Sequence, residues 1–151
     1  MTLGDVLKLR EAQVGKYTVK ASGDIVKGNL YCDDGSGGGL VITTAALAPA
    51  NKVVMALEDH DYSENTSHVI SCLVRGYCIV AKVSGSGLAA QGNKLMISGT
   101  AGAVGKFVAG DVTSADTEAT NEAANLVNLG IVGYATKTST DAEVVQEMYL
   151  Y

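Results

Sequence analysis

The stretch HVISCLVRGYCIVAKV, residues 68–83, decides the fold class. It carries only two formal charges, Arg75 and Lys82, and is otherwise rich in Val, Ile and Cys. A two-sided apolar run of β-branched residues reads as central strand. Its middle is open to two readings: one long strand bulged at Gly76, or a hairpin turned by Arg75-Gly76. The bulge is favoured, because Arg-Gly is not among the two-residue turns whose twist suits a hairpin.

The same grammar extends in both directions. DIVKGNLYC (24–32) places Val26, Leu30 and Cys32 on one face at period two, with Gly28 as a bulge position. DDGSGGG (33–39) turns the chain and LVITT (40–44) restarts a strand. KVVMALE (52–58) is a further strand, and EDHDYSEN (58–65) a polar loop. SGSGLAAQGN (84–93) turns into KLMIS (94–98), and GTAGAVG (99–105) turns again into KFVAG (106–110). LGIVGYATK (129–137) and EVVQEMYLY (143–151) close as strands, with Val144, Met148 and Leu150 sharing a face. Residues 114–127 carry Ala119, Ala123, Leu126 and Val127 at helical spacing and read equally as a helix or a surface loop. The expected fold is all-β, a small β-barrel or β-sandwich of about eight to ten short strands.

Residues 1–20 break this pattern. DVLKLREAQ (5–13) suits two turns of helix, with Val6, Leu7 and Leu9 on one side, which is too short to be stable alone. The expectation is an extended N-terminal arm over 1–21 that needs a neighbouring surface, followed by a β-rich domain over 22–151.

Composition narrows the function. The 151 residues are 47% apolar but only 5% aromatic, with 18 glycines, one proline and no Trp. Glycine here supplies positive φ in turns and relief at bulges. A net charge of −5 with scattered lysines and arginines argues against direct nucleic acid binding. No apolar run is long enough to cross a membrane as a helix, and the N-terminus has no signal-peptide pattern. Three cysteines, an odd number, suggest free thiols packed as small core residues.

Each candidate for chemistry lacks part of its pattern. Gly99 to Phe107 misses the P-loop spacing, and Phe107 stands where a Ser or Thr would reach Mg²⁺. Gly85-Ser86-Gly87-Leu88-Ala89-Ala90 fits a dinucleotide fingerprint, but Gly92-Asn93 stops any helix that should follow. Glu58, Asp59, His60, Asp61 and Glu64 are an acidic loop without the ligand spacing of a calcium site. His68 and Cys72 would share a strand face about 13 Å apart, too far for a nucleophile and its base. Lys27, Lys82 and Lys94 lack the sequence context of a lipoyl or biotin carrier. The expectation is no catalytic, cofactor or metal site, and no enzyme.

The order of elements resembles the small capsid decoration, or cement, proteins of tailed phages. The pieces are Gly23-Asp24-Ile25-Val26, Asp34-Gly35, Val53 to Asp59, Arg75-Gly76, Gln91 to Ile97 and Ile131-Val132-Gly133-Tyr134-Ala135. Met55 departs from the family's usual Gly, and 111–127 is an insert rich in Thr, Asn and Ala. The resemblance implies a β-domain on the exterior of an icosahedral capsid, made in the host cytoplasm. There it would bridge major capsid protein subunits as a homo-oligomer, with a trimer favoured. The rival reading is a non-catalytic β-barrel carrier or enzyme-associated binding module.

Overall fold

The structure is a computed structural model that describes residues 2–44, 47–48, 50–85, 87–97, 100–107 and 131–151. Nine strands follow one another among them: β1 Gln13–Thr18, β2 Leu30–Asp33, β3 Leu40–Ile42, β4 Val54–Ala56, β5 Val69–Ala81, β6 Lys94–Ile97, β7 Val104–Lys106, β8 Ile131–Ala135 and β9 Val145–Leu150. They form one curled antiparallel sheet in the order β3-β2-β4-β5-β9-β8-β6-β7, with β1 paired to β5 off that path. The all-β expectation holds. The 114–127 segment lies outside the described residues.

β5 is the spine, and it is one strand rather than a hairpin. Its first half pairs with β4 (Leu73 with Met55, Cys72 with Ala56), and its second half, Gly76 to Ala81, pairs with β9. The register slips beside Val74, since Gln13 faces Arg75 while Val14 faces Leu73. Gly76 marks the change of partners, with φ +142°. A Cβ there would stand 3.2 Å from Ala12 Cα and 3.4 Å from the Glu11 carbonyl oxygen. The irregularity is therefore shared between Val74, where the extra residue sits, and Gly76, where another backbone crosses close by.

That crossing backbone is the N-terminal segment, and it corrects the expected arm. Gly4 N–H donates to the Ile79 carbonyl at 2.8 Å, Leu7 N–H to that of Tyr77 at 2.9 Å, and Val6 bridges Cys78. β1 then continues antiparallel from Arg75 to Val69. The surface that residues 2–18 need is their own chain's β5. DVLKLREAQ forms no two-turn helix; five residues loop out between Leu7 and Gln13, and Leu9–Glu11 is a single 3-10 turn. Two free ends of the sheet are also tied back. Val19 bridges Leu40 of β3, and Lys82 bridges Val104 of β7. Such bridging leaves short edges that resist pairing with other chains.

Curling produces two apolar clusters on opposite faces of the shared strands. Leu30, Met55, Leu73, Cys78, Val80, Leu95, Ile97, Val104, Met148 and Leu150 belong to the larger. Val19, Ile25, Tyr31, Leu40, Val54, Ala56, Ile70 and Cys72 form the smaller. Two expected inward positions are not inward. Val26 is 50% exposed because the turn at Gly28 breaks the period before β2 begins. Val144 is 62% exposed because it sits in the bend before β9, and Gln146 takes the first buried place instead. Its amide is satisfied: Nε2 donates to the Lys137 and Glu147 carbonyls, both at 2.8 Å, and Oε1 accepts from the Ser139 hydroxyl.

Candidate functional site

Strand alternation sends Met148 and Leu150 inward and Tyr149 outward. Antiparallel pairing then sets Tyr77 of β5 opposite Tyr149, and Tyr149 opposite Tyr134 of β8. Three tyrosines thus stand in one row across three neighbouring strands. The Tyr77 and Tyr149 rings meet edge to face, 4.8 Å between centroids, and Tyr134 stacks on Tyr149 at 5.5 Å. Tyr151 lies 6.1 Å from Tyr134 and widens the patch. Cross-strand aromatic pairs of this kind stabilise a sheet by up to about 1 kcal/mol each.

Cations rim the row. Arg75 Nε donates to the Tyr149 hydroxyl at 2.7 Å, and Lys8 Nζ sits 4.0 Å from the Tyr77 ring centroid. Both are exposed, a geometry in which cation–π attraction contributes about 0.5–1 kcal/mol. Lys94 of β6 is the register partner of Tyr134, so it extends the row by one exposed position. A hydrogen bond with Tyr77 holds the Tyr134 phenol above its ordinary pKa. Beside the rings runs a groove of about 460 Å³, walled by Leu7, Lys8, Gln91, Thr136 and Glu147 among others. The groove is built by elements far apart in sequence. The 3-10 turn brings Lys8, β5 brings Tyr77, and the 91–93 turn closes the end.

The second cluster joins the chain's only two histidines. His60 Nε2 and His68 Nδ1 are 3.1 Å apart, and Tyr62 stacks on His68 at 3.7 Å and 9°. His60 is only 6% exposed, and its backbone exchanges two hydrogen bonds with Ile25. Sequence reasoning set His68 against Cys72; the structure sets it against His60 and Tyr62. Across this N–N contact one ring nitrogen donates a hydrogen bond and the other accepts it, the roles following from the tautomers. Cys72 is fully buried among apolar side chains, and burial pushes its thiol up to about 12, so it is no nucleophile at neutral pH.

The acidic loop spends its carboxylates on backbone amides. Glu58 accepts from Ser71 N–H, Asp59 from Lys27 N–H at 2.7 Å, and Asp61 from Ser63 N–H and hydroxyl. Those hydrogen bonds to Ser63 lower the Asp61 pKa. The groups point to different partners, and among the described residues no three His, Cys, Asp or Glu side chains converge on a possible metal. Lys27 lies 3.9 Å from Asp5, and Lys82 is buried with its ammonium on the Thr140 and Glu143 carbonyls. Residues 100–107 are a turn and β7, and Gly87 N–H donates to Asp141 at a turn beside the Ala89–Ser139 bridge. Ser86 and Gly99 lie outside the described residues.

The tyrosine row went unread in the sequence although its signal was there. In EMYLY, residues 147–151, aromatic and buried positions alternate. No protein-family model matches the chain, and no curated protein matches it.

Proposed function

We propose that the chain is a structural virion protein that binds the outside of an icosahedral capsid and bridges major capsid protein subunits. The observation that carries this reading is the tyrosine row with its rim of Arg75, Lys8 and Lys94, set on a rigid sheet. Tyr and Arg are the side chains most enriched where protein interfaces concentrate their binding energy. Such a surface supports a role in docking, and the resemblance to capsid cement proteins supplies the partner. Binding is multivalent through a homo-oligomer, a trimer by preference, so each contact need only be weak. No cofactor, catalysis, membrane or direct nucleic acid contact belongs to this role.

The test is to express the tagged chain with the capsid protein of the genome that encodes it, and to sediment the shells. The expected result is co-sedimentation at a fixed ratio to the capsid protein, with greater resistance of filled shells to heating. A chain that stays at the top of the gradient at every concentration overturns the reading.

A further inference from the structure

We propose that the tyrosine row seats an acidic, extended peptide segment of the partner protein. That the segment belongs to a capsid protein rests on the reading above; its chemistry rests on the row itself. The charge balance of this face runs against that of the chain. Among the described residues, Lys8, Arg75 and Lys94 stand around the rings with Glu11 3.8 Å from Lys8, and the adjoining groove adds Glu147, paired with Lys137 at 3.4 Å. Four cations against two carboxylates leave a local excess of two positive charges on a protein of net charge −5. A patch of opposite sign to the rest of the surface selects an acidic partner and steers its approach.

Spacing gives the shape of the ligand. Tyr77, Tyr149, Tyr134 and Lys94 lie on four neighbouring strands, so three steps of about 4.8 Å span about 14 Å. Four or five residues of extended chain, at about 3.3 Å each, cover that distance. A segment with carboxylates at its two ends would meet Lys8 at one end and Lys94 at the other. Its middle would lie on the tyrosine faces and along the adjoining groove. A proline-rich extended segment suits such an aromatic groove because its polyproline II form is already ordered and loses little freedom on docking.

The probe is a fluorescent decapeptide of alternating glutamate and proline, which is soluble and extended. The matching controls replace glutamate by glutamine or by lysine. The expected result is binding at least about tenfold tighter for the glutamate peptide, weakened by salt. Tyr149→Ala and the doubly exposed pair Lys8→Glu with Lys94→Glu should each reduce it at least about tenfold, with circular dichroism confirming the fold. Equal or absent binding of the three peptides overturns the proposal. So does binding that the charge-reversal pair leaves unchanged, or tighter binding of a heparin octasaccharide than of the peptide. The same variants are then offered to shells. If the wild-type chain fails to sediment with shells while the peptide result holds, the capsid reading alone falls. If the charge-reversal pair decorates shells like wild type, the row is not the contact and this inference alone falls.

Discussion

A methyl group added at Gly133 would stand 2.0 Å from the Tyr149 carbonyl oxygen and 2.3 Å from Met148 Cε. β8 and β9 approach so closely only because position 133 has no side chain, and that approach fixes where Tyr149 stands between Tyr134 and Tyr77. Gly133→Ala should therefore cost about 1–3 kcal/mol, as overpacking does. A lowered urea midpoint together with a changed near-ultraviolet tyrosine dichroism would register it; unchanged dichroism would separate the row from the glycine. The thiols give a second prediction. Cys72 and Cys78 are fully buried, and burial pushes both up to about 12 against an ordinary thiol value of 9.0. Thiol reagent at pH 8 should leave the native chain nearly unlabelled and find three thiols after denaturation. In the unfolded chain these protons leave near pH 9 while the folded chain keeps them. Their contribution to stability is thus constant below that pH and falls as pH rises toward 12. Urea midpoints should decline between pH 9 and 10.5, and less steeply in Cys78→Ala. The cysteines were legible because small size and apolar neighbours suffice to place them. Tyr149 was not, because its meaning depends on two register partners 15 and 72 residues away.

At the level of elements, β5 was readable from its own residues and β1 was not. No residue of Gln13–Thr18 is fully buried: only Gly15 and Tyr17 are partly covered and the other four are exposed, so the strand has no apolar face to betray it beyond Tyr17, which packs against the smaller cluster. Its partner begins more than fifty residues later, so no adjoining hairpin turn signals the pairing either. The same holds for residues 4–7, whose place is set by backbone hydrogen bonds to Tyr77 and Ile79 rather than by side chains. Deleting residues 2–16 should consequently unfold the protein rather than free a domain. It would bare one side of β5 along nearly its whole length and uncover Gly76. The expected readout is loss of the cooperative thermal transition and aggregation through the exposed strand. A truncated chain with a wild-type melting curve would restore the idea of a detachable arm.

Across the whole molecule, the fold class followed from short β-branched runs separated by glycine-rich turns, and that much was legible. The grouping of Lys8, Arg75 and Lys94 about one row was not, because three segments far apart in the chain meet only after the sheet curls. The two apolar clusters likewise depend on β5 contributing Leu73, Cys78 and Val80 to one and Ile70 and Cys72 to the other. That sharing has a mechanical consequence. The N-terminal segment and β9 both run antiparallel to β5. Tension applied between Thr2 and Tyr151 would drag both of them along the spine instead of peeling them from it. Hydrogen bonds loaded in this way resist together, where a peeled ladder yields one rung at a time. In single-molecule pulling the chain should hold to one high rupture force from its termini and give way at lower force when handled through Gly35 and Gly87, turns outside the β5 pairing. Similar forces in both geometries would remove β5 as the tensile member.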